Sequence, residues 1–236
     1  MSELRARGYG VNHKVLERLN GLWDLLVMRR LRRPKSSPIQ RLIKAAGSRV
    51  NLVSSLSEIS EFEVLYTDIT EIVYQRGKGK AKLMPILDHA SKLVLGHAVS
   101  ETADTELALA AWERAKATLK RFGHKIANII IHHDQDGVYR GHGWLYQVMV
   151  KDNLRVSFSE DGAKGNVHIE SFNGRFKEEN RLLFWEQEDL ESLRRVVDQR
   201  IRYYNQVRRH STLGNKSPLQ YLREKGKILR RDVSEN

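Results

Sequence analysis

Three carboxylate residues stand at the ends of predicted secondary-structure elements, where they could act together. Asp68 lies near the end of one predicted strand, Asp134 closely follows another, and Glu170 falls in the first turn of a predicted helix. In open α/β sheets, ligands gather at the carboxyl ends of the strands. Three carboxylates that met there would repel one another unless a cation such as Mg²⁺ or Mn²⁺, which prefers oxygen ligands, neutralised them. Each acid alone is more simply explained as a solvated residue, so only the combination predicts a metal site.

The helix that follows position 166 places further polar residues beside Glu170. At about 100° per residue, one face of this helix carries Asn166, Glu170, Asn173 and Lys177. A second face carries apolar residues that can pack on a sheet, namely Ile169, Phe172 and Phe176. Two metal ions about 3.5–4 Å apart can hold the attacking and leaving oxygens of a phosphoryl transfer. Lys177, two turns beyond Glu170, is then well placed to bind a phosphate near them.

The elements that must position these residues follow the order βββαβαβα, with one further helix. This order favours an α/β sheet with an antiparallel start. Strands are predicted over 62–69 (extended by 71–74), 81–87, 93–100, 126–132 and 154–158, and helices over 105–122, 143–151, 167–183 and 188–205. Pro85 falls inside a predicted strand, where proline removes a ladder hydrogen bond, so we expect a bulge there.

The charge is unevenly distributed along the 236 residues, whose formal net charge is +12. Residues 1–50 carry a net +9, residues 51–171 a net −2, and residues 172–236 a net +5. A slightly acidic middle is therefore flanked by two basic arms. This arrangement points to a polyanionic partner, most simply nucleic acid, although a solvated surface with charged ends would look the same.

Several classes of protein are excluded by composition. The chain has no cysteine, which rules out a disulfide scaffold, a thiolate nucleophile and Cys-ligated zinc. No stretch approaches the roughly 18 consecutive apolar residues of a membrane span, and no apolar signal core follows Met1–Arg7. We therefore expect a cytoplasmic protein. A zinc site on His132, His133 and His142 is a weak alternative, since the residues follow no zinc-binding pattern.

Five motifs carry a resemblance to a known family. They are Tyr66–Thr70 (YTDIT), His132–Tyr139 (HHDQDGVY), Ile169–Lys177 (IESFNGRFK), Tyr204–Gly214 (YNQVRRHSTLG) and Ser217–Tyr221 (SPLQY). Asp134 and Glu170 are separated by 35 residues, and Lys177 follows Glu170 by seven positions. Over about 60–221 the chain resembles the orf-B-type transposases of bacterial insertion sequences, which have a retroviral-integrase-like DDE catalytic core.

The resemblance implies a fold and an activity. The fold would be ribonuclease-H-like, with a five-stranded mixed sheet and helices on both faces. The activity would be metal-dependent cleavage of the transposon end, followed by attack of the released 3′-hydroxyl on target DNA. Asp68 and Asp134 would share one of two Mg²⁺ or Mn²⁺ ions, and Glu170 would help to hold the second. Asp136 is a competing acid, but the flanking motif favours Asp134.

The implied partners are double-stranded DNA and further copies of the chain on that DNA. Candidate phosphate contacts are Lys177, the linker residues Arg29, Arg30, Arg32 and Arg33, the turn residues Lys78 and Lys80, and the tail residues Arg208 and Arg209. For the tail, a solvated turn is an equally good explanation. Trp112 is expected in the core, and we favour the core for Trp23 and Trp185 over stacking on an unpaired base.

The first residues resemble only the last part of the family's helix-turn-helix, with Asn12–Leu19 as its recognition helix. Three explanations stay open: late translation, an upstream-frame helix-turn-helix protein that supplies the missing helices, or a truncated copy. We expect 1–35 to be this remnant and a basic linker, 36–59 a connecting segment, 60–185 the catalytic core, and 186–236 a C-terminal helix and basic tail. Two alternative functions stay open: a non-catalytic DNA-binding remnant, and a ribonuclease-H-like metal nuclease.

Overall fold

The computed structural model describes residues 6–10, 12–23, 38, 41, 45–159 and 166–228. The chain divides into two compact units, Met1–Ser36 and Ser37–Asn236. In the first unit, helix α1 (His13–Leu22) begins after Asn12, whose side chain accepts a hydrogen bond from the Lys14 backbone N–H at 3.0 Å. Asn12 is therefore the N-cap of this helix. Trp23 is 61% exposed, so its expected place in a core is wrong.

The second unit is built on six strands. They are β1 (Val64–Thr67), β2 (Thr70–Tyr74), β3 (Gly79–Asp88), β4 (Val94–Ser100), β5 (Ile130–His133) and β6 (Arg155–Phe158). Strand β3 pairs antiparallel with β4 along one edge and with both β1 and β2 along the other. Strands β5 and β6 continue the sheet beyond β1 in parallel. The sheet is mixed, as expected from the sequence.

The expected count of five strands becomes six because one predicted strand is broken. Thr67 lies opposite Ile86 and Thr70 opposite Leu83, so the pairing with β3 stops at Asp68 and Ile69. A register shift between Ile86 and Leu87 of β3 lies one residue beyond Pro85, where a bulge was predicted. Strand β5 begins at Ile130 rather than at 126, because residues before it form a turn in which Asn128 adopts a φ of +70°.

Helices cover both faces of this sheet. They are α2 (Thr105–Arg121), α3 (His142–Leu145, continued by a wider π-type turn over Tyr146–Lys151), α4 (Val167–Trp185), α5 (Leu190–Gln206) and α6 (Pro218–Glu224). Successive strand residues point to opposite faces. Leu65 accordingly packs with Trp112 of α2 in one core, whereas Tyr66 packs with Phe172 of α4 in the other. No helix among the described residues is long and apolar enough to cross a membrane.

The C-terminal segment belongs to these cores as well. Helix α5 contributes Leu193, Val197 and Ile201 to the core under α4. Helix α6 contributes Leu219 and Leu222 to the core on the other face. The 45–59 segment reaches the sheet too, since the Leu52 backbone N–H donates to Ser157 Oγ at 2.9 Å.

Strand β4 pairs only with β3 among the described residues, and side chains of α5 bond to its other edge. The amide of Asn205 accepts from the Val94 backbone N–H at 3.0 Å and donates to the Val94 carbonyl at 2.9 Å. Arg194 Nε donates to the Val99 carbonyl at 3.0 Å. These bonds satisfy backbone groups that an edge strand otherwise leaves open.

Candidate active site

Asp68 lies in the break between β1 and β2, at the carboxyl end of β1. Its carboxylate accepts a hydrogen bond from Asn173 Nδ2 of α4 at 3.0 Å. Burial, and next the negative charge of Asp134, raise the pKa of Asp68 to about 6, and the charge of Glu170 acts in the same direction. Hydrogen bonds from Asn173 and from the Ile69 backbone oppose the rise. The break therefore places Asp68 within the electrostatic field of both other candidate carboxylates.

Asp134 reaches the same end of the sheet because β5 runs parallel to β1. Tyr66 lies opposite His132 in this pair of strands. Asp68 follows Tyr66 by two residues and Asp134 follows His132 by two residues, so the two acids come at matching positions beyond the paired strands. The Asp134 carboxylate accepts the Asp136 backbone N–H at 2.9 Å. Burial is the largest cause of a raised pKa at Asp134, and the charge of Asp136 adds to it.

The competing acid, Asp136, has a different environment. It is exposed, and its carboxylate accepts the Val138 backbone N–H at 3.0 Å within the turn that follows β5. Asp136 therefore stabilises the loop, while Asp134 continues the line of the strand.

Glu170 occupies the first turn of α4, as predicted. Helix α4 begins after Asn166, whose side chain donates to the Thr67 carbonyl at 3.3 Å and ties the start of the helix to β1. Ile169, Phe172 and Phe176 are buried, which confirms the predicted packing face. Glu170 is half-buried, and its charge reaches Asp68 as described above.

An aromatic layer lies beneath Asp134. The His133 ring stacks on Tyr139 at a centroid distance of 4.3 Å, and Trp144 Nε1 donates to His133 Nε2 at 3.3 Å. Burial lowers the pKa of His133 to about 3, so the ring is neutral. Its Nδ1 lies 2.9 Å from the Asp134 carbonyl oxygen, which fixes the backbone that carries the carboxylate. Sequence reasoning missed this layer, because His133, Tyr139 and Trp144 share no period.

His132, the first residue of the histidine pair, is also a packed residue, as the sequence favoured. Its ring is 1% exposed, contacts Tyr66 edge-on at 5.3 Å, and lies 2.9 Å from Ser157 Oγ through Nδ1. It takes part in the sheet rather than in the cluster of carboxylates.

The oxygen atoms around Asp68 are of the type that Mg²⁺ or Mn²⁺ prefers. Besides the three carboxylates, the buried Oδ1 atoms of Asn166 and Asn173 have no hydrogen-bond partner among the described residues. Burial is the largest cause of the raised pKa of Asp68, and the negative charges of Asp134 and Glu170 add to it. A bound cation would offset both effects. Within the described part of the chain, however, no three His, Asp or Glu side chains lie close enough together to hold one ion. By type and charge the residues fit a divalent cation, although their side chains are not gathered around a single ion position in this arrangement.

The predicted phosphate-binding residues have varied surroundings. Lys78 lies in the exposed turn before β3, and Lys80 is an exposed residue near the start of β3. Lys80 Nζ forms an ion pair with the Glu71 carboxylate at 2.9 Å. Lys177 lies in a groove of about 510 Å³ between β2 and α4, with Arg181 and Trp185. Trp185 is 42% exposed, so its expected core position is wrong, whereas Trp112 is fully buried as predicted.

The two tail arginines are engaged within the chain. Arg208 forms two hydrogen bonds with the Glu179 carboxylate, from Nε at 2.8 Å and from Nη2 at 2.5 Å. Arg209 Nη1 donates to the Asn215 carbonyl at 3.1 Å. The linker residues Arg29, Arg30, Arg32 and Arg33 lie outside the described residues.

Comparisons with known proteins agree with this geometry. A family model described as "integrase core domain" matches residues 156–218, which include Glu170 and the Tyr204–Gly214 motif. The chain is 16% identical to the catalytic core domain of the HTLV-2 integrase, solved in complex with magnesium, with a TM-score of 0.51 over 68% of this chain and 95% of that one. This structural similarity shows an integrase-core, ribonuclease-H-like fold.

Two curated relatives extend the similarity to most of the chain. A probable transposase for insertion sequence element IS1353 of Shigella flexneri is 29% identical over 93% of this chain, which spans 41% of that protein's length. An uncharacterized transposase-like protein of Haemophilus influenzae is 30% identical over 66% of this chain and 68% of its own length. By sequence and by fold, the chain belongs to the insertion-sequence transposases with an integrase-like core.

Proposed function

We propose that this chain is a DNA transposase that uses Asp68, Asp134 and Glu170 to cut the ends of an insertion sequence and join them to target DNA. The observation that carries the proposal is the position of Asp68. Asp68 lies at the break between β1 and β2, in the fold of an integrase core. The negative charges of Asp134 and Glu170 act on its carboxylate. This reaction is a phosphoryl transfer between oxygen atoms, and it needs no protein nucleophile.

The three carboxylates would hold Mg²⁺ or Mn²⁺, with Asp68 and Asp134 on one ion and Glu170 on a second. When bound, such ions activate a water molecule and stabilise the attacking and leaving oxygens of the transfer. The HTLV-2 integrase core, which shares the fold, was solved with magnesium. The unpartnered Oδ1 atoms of Asn166 and Asn173 are available to bonds from water or substrate at the same place.

Neighbouring residues hold these carboxylates in place. Asn173 donates to Asp68 and favours its charged form, which is the form that binds a cation. His133 holds the backbone of Asp134 and stays neutral, so it adds no positive charge that would compete with a metal. Asn166 fixes the start of α4 against β1 and thereby positions Glu170. Lys177, on the same helix, would bind a phosphate of the DNA strand that enters the site.

Double-stranded DNA and further copies of the chain are the partners we propose. Lys78, Lys80 and Arg209, together with the linker arginines, would contact backbone phosphates and supply sequence-independent affinity. Both transposon ends must be held at once, which requires more than one copy of the chain on the DNA.

A cleavage and joining assay tests the proposal. The chain is incubated with duplexes that carry the terminal sequences of its own element, with Mg²⁺, with Mn²⁺ or with a chelator. We expect metal-dependent release of a 3′-hydroxyl end and joined products. Glu170→Gln, which keeps the shape of the side chain, is expected to bind the same duplexes without cutting them. Cleavage that persists in the chelator, or equal cleavage by Glu170→Gln, would refute the proposed mechanism.

A further inference from the structure

A second polar pocket lies between α4, the β3–β4 turn and the segment after α5. It has a volume of about 260 Å³, and aromatic side chains that are mostly buried form its floor. The charged and polar groups around this floor come from three separate parts of the chain. We name it the cationic pocket and define it by Lys92, Arg175, Glu179, Arg208 and His210.

The cationic pocket contains more positive than negative charge. Its three cations, Lys92, Arg175 and Arg208, face one carboxylate, that of Glu179, which is already paired with Arg208. Lys92 Nζ donates only to the His89 carbonyl oxygen, at 2.6 Å, among the described residues. Arg175 is exposed and lies one helical turn from Glu179 without forming an ion pair within the described part of the chain. A formal charge of +2 is therefore left without counter-ions inside the pocket.

His210 shows that these cations act at one place. Burial, and next the charge of Arg208, lower the pKa of His210 to about 4. Glu179 opposes this shift, and the charges of Arg175 and Lys92 add smaller decreases. The ring is therefore neutral at pH 7. The three cations approach the same imidazole from α4, from the β3–β4 turn and from the segment after α5.

The hydrogen bonds of His210 leave one donor unused. Arg208 Nη1 lies 3.4 Å from His210 Nδ1, and an arginine can only donate, so Nδ1 must accept. The proton of the neutral ring is then on Nε2, a buried atom with no partner among the described residues. Buried polar atoms without partners are uncommon, and a missing ion or water is a common reason for them.

We propose that the cationic pocket binds a phosphate group through Lys92, Arg175 and Arg208. Guanidinium groups bind phosphate through paired charge-assisted hydrogen bonds, and a lysine adds a point charge. The Ser171 and Thr212 hydroxyls line the same pocket and can donate to further phosphate oxygens. A phosphate would supply the negative charge that Glu179 alone does not.

The phosphate can come from a DNA backbone or from a free nucleotide or inorganic phosphate. The DNA source rests on the proposed function, because only a DNA-bound chain would place a phosphodiester here. The pocket faces away from the row of Glu170, Asn173 and Lys177 on α4, since Ser171, Arg175 and Glu179 form a different row. DNA bound there would contact the protein at a second place outside the carboxylate site.

The first arm of the test uses inorganic phosphate and the full chain in a chelator, so that no metal can bring phosphate to the carboxylates. Calorimetry measures binding, and NMR follows the pKa of His210, which a bound anion should raise.

Arg175→Gln and Lys92→Asn each remove one charge without disturbing the core, and Asn suits the left-handed backbone at position 92, where φ is +59°. The control is Arg195→Gln, which removes an exposed charge on α5 whose ion pair, within the described part of the chain, is with Glu191. We expect the two pocket variants together to weaken phosphate binding about tenfold or more, and the control to have no effect.

The second arm measures the binding of random duplex DNA as a function of salt concentration. If a DNA phosphate occupies the pocket, Arg175→Gln should lower the slope of log K against log salt by about 0.9, and Arg195→Gln should not. Phosphate binding without that change in slope would assign the pocket to a free nucleotide or inorganic phosphate. Phosphate binding by a chain that does not bind DNA would support the pocket while refuting the proposed function. The proposal is overturned if phosphate does not bind, or if it binds equally to Arg175→Gln, Lys92→Asn and wild type.

Discussion

Helix α4 presents two sites of opposite charge on different faces that point away from each other. One face carries Glu170 and Asn173 toward Asp68, where burial, and next the negative charges of Asp134 and Glu170, raise the pKa of Asp68. The other carries Arg175 and Glu179 into the cationic pocket, where positive charge predominates. Other charged side chains form ordinary ion pairs; Lys116, for example, bonds to both Glu113 and Asp152.

The difference between the two sites is how each unpaired charge is accommodated. At the carboxylate site the negatively charged groups are partly buried. Asp68 therefore holds its proton more tightly, and its pKa is about 6. In the cationic pocket the arginines are more open to solvent, and their charge acts instead on the neutral His210. We therefore expect substitutions at the first site to affect catalysis and stability, and those at the second to affect mainly the affinity for phosphate.

The largest effect is expected for Asp68→Asn. Because this change removes a carboxylate that we propose as a metal ligand, but no proposed phosphate contact, strand cleavage should fall by about 10²–10³-fold while duplex binding is retained. Cleavage and binding are measured on the same DNA, and circular dichroism checks the fold. Loss of DNA binding in step with cleavage would show that the two functions are not separated as we describe.

A matched pair of substitutions tests the choice between two nearby acids. Asp134→Asn should reduce cleavage to the same extent as Asp68→Asn, because Asp134 follows β5 beside Asp68. Asp136→Asn should retain measurable cleavage, since the Asp136 carboxylate bonds to the Val138 backbone in the loop. The reverse ranking in a strand-cleavage assay would mean that Asp136 is the ligand.

A smaller effect is expected for Asn173→Ala. Loss of the hydrogen bond to Asp68 Oδ2 should raise the pKa of Asp68 further and reduce metal affinity by about 10–100-fold, as for other residues that orient metal ligands. The measurement is the Mg²⁺ concentration that gives half-maximal cleavage. Saturating metal should restore most of the rate, and a defect that metal does not relieve would contradict this role.

The smallest effect is on stability without metal. The pKa of Asp68 is raised on folding, so the folded state holds that proton more tightly, and its contribution to the unfolding free energy is complete below pH 3.8 and is lost as the pH rises through about 6. The loss should be about 1–3 kcal/mol and should be reduced by Mg²⁺. Denaturant unfolding at several pH values measures it.

Asp88 must be separated from Asp68 in that experiment. It is buried in the β3–β4 turn, its pKa is also raised to about 6, and it therefore contributes in the same pH range. The difference between wild type and Asp68→Asn isolates the contribution of Asp68. Identical pH profiles of the two proteins would show that Asp68 does not titrate as described.

Sequence reasoning found the elements and the candidate acids because periodic patterns report local burial. The spacing of Ile169, Phe172 and Phe176 predicted the buried face of α4, and motif residues placed Asp68 and Asp134 at strand ends. It could not find the break at Asp68 and Ile69, since this depends on pairing with β3. The partners of His133 and the convergence on His210 were also out of reach, because they join residues that are distant in the chain.

Trp185 shows the same limit of sequence reasoning, because a residue expected in the core is partly exposed. Apolar character alone favoured a buried Trp185, but Gly77 lies against its ring, where an added Cβ would be 2.7 Å from the nearest ring atom. The indole is therefore held across the β2–β3 turn, and 42% of it is left exposed. A local pattern cannot predict a position that is fixed by a turn 108 residues earlier.

The hydrogen bonds that Asn205 and Arg194 make to β4 limit how copies of this protein can associate. A second chain that added a strand to β4 would have to displace the Asn205 amide from both backbone groups of Val94, and Arg194 from Val99. Neither edge-to-edge dimers nor filaments of continuous sheet can therefore form at β4 while those bonds are intact. Copies that assemble on DNA must meet through other surfaces, and the sheet of each copy stays a closed unit on this side.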